Sequence, residues 1–280
     1  MMHLGCVTYN VLKDMDLETI IRTLEVAKLE GVELRTTHKH GVEPSLGKAE
    51  RQKVAERFAR SKVRLLSYGT TCEFQSSKEE ERRKQVEIAK SFIELAHDTG
   101  AWAIKVRPNG LPKDLNPETT YKNIGACLRE LGDFGQGMGI EIWMEVHGGI
   151  TQIPQNSATI MKHANHKNVG VCWNSNPTDV INGSVKASFD LLRPWIKSCH
   201  INELVSPYPY RELFALMRKT NYERYTLCEC GESAQPDRFL KYYKALWDEL
   251  NRHDKPDNNF TDVVDGRAGR HPEPRTAFRT

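Results

Sequence analysis

Four short apolar runs, IEIWMEV, VGVCWN, IKSCHIN and RYTLCEC, each carry near their end a side chain able to bind a metal ion: Glu145, Asn174, His200 and Glu229. The steps between these residues are 29, 26 and 29 positions. A strand, its crossover helix and two loops take about 30 residues, so the rhythm puts one ligand-type residue at the carboxyl end of each of four consecutive parallel strands. In a (β/α)8 barrel those ends share one face, and active sites form there.

The rest of the chain continues the alternation. HLGCVTY reads as a first strand, followed by a helix that Asp16 caps and Gly31 ends; VELRTT leads into a helix over 48–60. VRLLSYG precedes a long amphipathic helix opened by a capping box, Ser77-Lys78-Glu79-Glu80, and closed at Gly100. AWAIKVR is a fourth strand. Asn116 and Pro117 then cap and open a helix, and a Gly-rich exit from Gly135 to Gly139 returns the chain to the fifth strand. Later helices are expected over 156–166, 184–192, 210–218 and 236–250. Eight strands alternating with eight helices argue for a parallel sheet. Polar residues converging from many strands favour a closed barrel over an open sheet, which gathers ligands only at its switch point.

The chain's 280 residues suit one barrel over residues 1–252, followed by a polar tail at 253–280 with few apolar positions. Hydrophobic residues make up 39% and charged residues 28%, enough for a sizeable core. Forty basic and 37 acidic residues give a net charge of +3 without a long run of one sign, so nucleic acid is not an expected partner. No secretory leader or membrane-length apolar stretch is evident, and the expected location is cytoplasmic. Six of the seven cysteines lie in or just after apolar runs and read as reduced, buried thiols.

Carboxylate, amide oxygen and imidazole are ligands for hard and borderline divalent cations, so Mn2+, Mg2+, Co2+ or Zn2+ is the expected cofactor. A lone Glu or His at a strand end is more often structural. Four in register are harder to explain that way.

Gly-Val-Glu-Leu-Arg in the second unit, Met-Glu-Val-His-Gly-Gly in the fifth, the Trp-Asn run in the sixth, Cys-His-Ile-Asn in the seventh and Cys-Glu-Cys-Gly-Glu in the eighth resemble the xylose isomerase-like TIM barrel superfamily. The resemblance spans about residues 2–252. It implies that Glu145, Asn174, His200 and Glu229 form a metal shell, and that Glu145 and Glu229 exchange a proton with a carbohydrate while the metal holds the enediolate oxygens. The implied activity is isomerisation or epimerisation of a sugar, keto-sugar or sugar phosphate. Alternatives are a lyase of the inosose dehydratase type and a non-catalytic sugar-binding barrel. Endonuclease activity is disfavoured for want of further histidines and of basic excess. The family's usual Asp is Asn at 174, and a His common three positions later is Pro177; the loss of a carboxylate predicts weaker metal retention.

Strand parity adds further candidates. His147, two positions beyond Glu145, and Asn202, two beyond His200, are expected to contact substrate. Lys105 and Arg107 share a side on the fourth strand and are read as substrate-binding, Lys105 because a buried Lys must pair with Glu145 or Glu33 or bind an anionic group. Arg35 and Glu33 share a side on the second, with Glu33 read as structural. His38 or His40 is expected at the rim, with His38 the candidate for substrate contact; Trp143 and Trp173 could wall a sugar ring, although core packing is the commoner role. Gly148-Gly149 reads as a turn allowing close backbone approach to a ligand. No Gly-rich nucleotide motif is present. A homo-oligomer is left open.

Overall fold

The computed structural model describes residues 1–252; the proposed tail at 253–280 lies outside the described residues. In order the elements are β1 (His3–Val7), α1 (Leu17–Ala27), β2 (Gly31–Arg35), α2 (Lys48–Ala59), β3 (Arg64–Gly69), α3 (Glu79–Thr99), β4 (Ala103–Val106) and α4 (Pro117–Met138). They continue with β5 (Glu141–Glu145), α5 (Pro154–Ala164), β6 (Val169–Asn174), α6 (Lys186–Leu192), β7 (Ile196–Ile201), α7 (Tyr210–Lys219), β8 (Tyr225–Cys228) and α8 (Pro236–Leu250). All neighbouring strands are parallel, and β1 pairs with both β2 and β8, closing the (β/α)8 barrel. Among the described residues no helix is long and apolar enough to cross a membrane. All seven cysteines are buried free thiols.

Local chemistry accounts for most element ends. The Asp16 side chain accepts from the Thr19 N–H at 2.8 Å and Asn116 from the Glu118 N–H at 2.8 Å, each satisfying a donor the helix cannot. Gly100 ends α3 in the left-handed region at φ 77°.

Three expectations are corrected. Gly31 does not end α1: Lys28 takes the left-handed cap at φ 60°, and Gly31 opens β2, where a Cβ would lie 2.6 Å from Leu66 inside the barrel. Gly135 and Gly137 belong to α4, which runs on to Met138. A Cβ at Gly135 would sit 2.4 Å from the Ile140 carbonyl, so the glycine serves close helix–strand packing. The capping box at Ser77 does not form. Instead Ser76 Oγ accepts from the Lys78 N–H at 3.2 Å and donates to Glu81 at 2.5 Å.

The large apolar core lies between the strands and the helix ring. A smaller one, Val7, Leu66, Ala103, Trp143, Cys172 and Leu227 with Trp102 and Tyr225 beside it, fills the barrel interior. Extra residues displace the register in β3, which supplies one more residue between the partners of Val32 and Glu33, and in β7 between the partners of Val171 and Cys172. Above the apolar plug the inward positions turn polar. Glu33, Ser67, Lys105, Glu145, Asn174 and His200 are all buried there, on the carboxyl side of the strands.

Candidate active site at the barrel mouth

The floor of the barrel mouth is a network of buried charge. Lys105 Nζ lies 2.7 Å from Glu145 Oε2, with both side chains almost wholly enclosed. His200, fully buried, has Nδ1 3.3 Å from Glu145 Oε1 and 3.4 Å from Glu229 Oε2, and Nε2 3.4 Å from Glu33 Oε1. Ser67 Oγ donates to the other Glu33 oxygen at 2.7 Å. The pairings follow from strand order, since β4 meets β5 and β7 meets β8.

The electrostatics are mutual. Burial opposes the Glu33 charge, but His200, Lys105 and Ser67 outweigh it and hold the carboxyl below its ordinary value. Burial likewise opposes charge on Glu145, and Lys105 and His200 bring that carboxyl well below the usual range. For Lys105 burial opposes the ammonium, and Glu145 and Glu33 more than restore it, raising its pKa.

One ligand atom each of Glu145, His200 and Glu229 lies within 4.8 Å of the others. Asn174 joins them through Nδ2, 3.4 Å from Glu145 Oε1. Both His200 ring nitrogens and Glu33 Oε1 are buried without a hydrogen bond. A buried polar atom left so is costly, and a divalent cation at Nδ1 between two carboxylates would satisfy it. The donor set fits such an ion, and Glu33 Oε1 lies 3.4 Å from the opposite ring nitrogen, on the side from which carboxylates orient metal-bound imidazoles.

Above this floor opens a cavity of about 420 Å3 whose lining includes Tyr9, Asn10, Arg35, Lys105, Arg107, Glu145, His147, Gln152, Asn174, Asn176, Asn202 and Glu229. That volume suits a small ligand. His147 Nδ1 and Arg107 Nε are buried there without partners. Arg107 also meets Glu73 at 3.1 Å, and Asn202 donates to the Ser175 carbonyl at 3.2 Å.

Other candidates lie elsewhere. His38 does not line the cavity: its Nδ1 is 2.9 Å from Thr8 Oγ1 and its ring stacks on Tyr9, which does line it. His40 is buried, accepting from the Val42 N–H at 3.0 Å and holding the Arg35 carbonyl at 2.8 Å. Trp143 is part of the interior plug and donates to Glu141 at 2.8 Å; Trp173 packs outward on Phe189. Neither walls the cavity. The Gly148 turn, at φ 98°, approaches Asn109: a Cβ would lie 2.5 Å from its carbonyl oxygen. The sequence reading missed Tyr9, Gln152 and Asn176, which come from loops without periodicity. It also missed the contact of Glu33 with His200, although strand parity already pointed Glu33 inward.

The chain matches the profile of the xylose isomerase-like TIM barrel family over residues 21–246. It belongs to that family. No curated protein sequence matches it. Among solved structures it resembles D-psicose 3-epimerase with D-tagatose from Clostridium cellulolyticum H10 (TM-score 0.77, 11% identity, covering 89% of this chain and 99% of that one). It also resembles an IolI protein with a bound zinc atom (0.69, 14%, 89% and 96%). A third is the probable 3-DHS dehydratase AsbF, involved in petrobactin synthesis, from Bacillus anthracis (0.68, 14%, 90% and 99%). At such identities the likeness is one of fold.

Two substitutions probe the site. Asn174→Asp puts a third carboxylate beside Glu145, a like-charge contact of several kcal/mol gross at an effective dielectric of about 20. The metal-free variant should melt below wild type and gain more in Tm when a divalent ion is added, as differential scanning fluorimetry with and without Mn2+ will show. Asp179 lies behind the cavity wall, fully buried, accepting from the Asn176 N–H at 2.8 Å and the Tyr208 hydroxyl at 2.9 Å. Burial pushes its carboxyl up from 3.8 to about 7. The folded protein therefore keeps a proton that the unfolded chain releases, and stability falls as pH rises from 3.8 to about 7, then levels. The stability of Asp179→Asn relative to wild type should rise across that window in urea titrations; a constant difference would show that Asp179 is ionised throughout.

Proposed function

We propose that this protein is a divalent-metal-dependent isomerase or epimerase of a sugar, keto-sugar or sugar phosphate, moving a proton at a carbon next to a carbonyl. The observation that carries the reading is the orphaned imidazole of His200 between the carboxylates of Glu145 and Glu229, at the floor of a cavity of sugar size. Likeness to an epimerase and to a zinc-bound barrel supports it.

Glu145, Asn174, His200 and Glu229 would hold the ion. A bound divalent cation would polarise the substrate carbonyl and stabilise the negative charge that develops on its oxygen. The remaining chemistry belongs to the side chains. Glu229 is the more exposed of the two glutamates, with 18% of its side chain accessible against 4% for Glu145. It can take a proton from substrate directly. Glu145 stays ionised through Lys105 and faces the same cavity, placed to return or remove the proton on its side. His147 Nδ1 and Asn202 supply polar groups for substrate hydroxyls.

The same base and polarising ion would serve loss of water beside a carbonyl, a reading favoured by the likeness to a probable dehydratase. Product NMR in D2O separates the two. Isomerisation or epimerisation exchanges one carbon-bound proton, whereas dehydration gives an unsaturated or deoxy product. In a screen of ketoses, inososes and 3-keto-glycosides, activity should disappear on chelation and return with Mn2+, Co2+, Mg2+ or Zn2+. Glu145→Gln and Glu229→Gln should each lower kcat by about 10^2–10^4. Full turnover in the chelated protein or in either variant would end the proposal.

A further inference from the structure

Cations outnumber carboxylates among the cavity-lining side chains: Arg35, Lys105 and Arg107 face Glu145 and Glu229. The excess is confined to the wall built by β2 and β4. Across the cavity the lining is neutral, with Gln152, Ser175, Asn176 and Asn202. Lys105 is committed to Glu145 at 2.7 Å. Arg107 is only half committed. Its Nη2 meets Glu73 Oε1 at 3.1 Å, an atom that Asn109 Nδ2 also engages at 2.7 Å, while its buried Nε has no partner.

Arg35 has no ion pair among the described residues. Its Nη1 donates to the Thr36 carbonyl at 3.1 Å, and its guanidinium lies 6.0 Å from the centre of the Tyr9 ring. The backbone beneath it is fixed at both ends. Thr8 Oγ1 accepts from the Arg35 N–H at 2.9 Å, and His40 Nε2 holds the Arg35 carbonyl at 2.8 Å. Strand register sets Gly69 between Arg35 and Lys105, and the side chain over Gly69 is Glu33, whose Oε1 lies 2.8 Å from where a Cβ would stand and whose carboxylate is already engaged by Ser67 and His200.

We infer that this wall is a subsite for an anionic group of the substrate, a carboxylate or a phosphate, taken by the free guanidinium edges of Arg35 and Arg107. A planar guanidinium matches either group with two parallel hydrogen bonds, and such charge-assisted pairs are about twice as strong as neutral ones. The substrate is then an acidic or phosphorylated sugar, lying with its charged end on β2 and β4 and its hydroxyls on the amide-lined wall. This rests on the mouth being the substrate site, and it names the class of substrate that the mouth accepts.

The test is calorimetric titration of the full chain with inorganic phosphate and with glycolate, each with and without EDTA, alongside Arg35→Gln, Arg107→Gln and Arg35→Lys. The expected result is saturable binding of at least one anion that persists in EDTA. It should weaken about tenfold or more in either Gln variant and less in Arg35→Lys, which keeps the charge but not the fork. The stronger of the two anions identifies phosphate or carboxylate as the natural group. Tm values of the variants near wild type exclude misfolding as the cause of any loss. Absence of saturable binding up to about 50 mM, or binding that vanishes with EDTA and survives both Gln substitutions, overturns the inference. A failed metal or proton-exchange experiment would overturn the proposed reaction while leaving this result standing, so the two failures are distinguishable.

Discussion

The ion pair of Lys105 and Glu145 is the interaction on which the upper half of the barrel interior depends. Two charges so deeply buried are tolerable only when matched in number and geometry, because desolvation costs several kcal/mol per ion. Here the ammonium lies 2.7 Å from one Glu145 oxygen, leaving the other for His200 and Asn174. Glu33 on the far side of His200 is held by Ser67 and balances the imidazole edge. If Lys105 and Glu33 cancel, the two outer glutamates are left to neutralise a divalent cation.

That balance gives Asn174 a physical place. A third carboxylate at 174 would sit against Glu145 in a site where Lys105 already offsets one acid. The amide instead donates to Glu145 at 3.4 Å, and with its amide turned it offers an oxygen to a cation. For the proposed ion the amide would mean weaker electrostatic attraction, compensated by a more electron-poor, hence more polarising, cation.

The barrel and the strand-end placement of the four proposed ligands were legible because both follow from periodicity. Unit length places Glu145, Asn174, His200 and Glu229 at strand ends, and the parity of β4 and β2 points Lys105 and Glu33 inward. Parity does not say which of two faces a bulky residue occupies at a given height. Trp143 therefore lies beneath the site and Trp173 behind it, rather than along the cavity. Glycine was ambiguous for a related reason: at Gly31 and Gly135 its missing Cβ serves close packing rather than a chain reversal. The loops were least legible. Tyr9, Gln152 and Asn176 reach the cavity through connections without repeat, and His38 is drawn away from it by Thr8.

The central claim is that Glu145, Asn174, His200 and Glu229 converge on one cation. Anomalous diffraction from crystals grown with Mn2+ tests it most directly. The account predicts a single strong peak about 2.0–2.4 Å from an oxygen or nitrogen of all four side chains, with the Asn174 amide turned to present its oxygen. Crystals at millimolar Mn2+ with no peak among these residues, and with His200 still lying between unligated carboxylates, would contradict it.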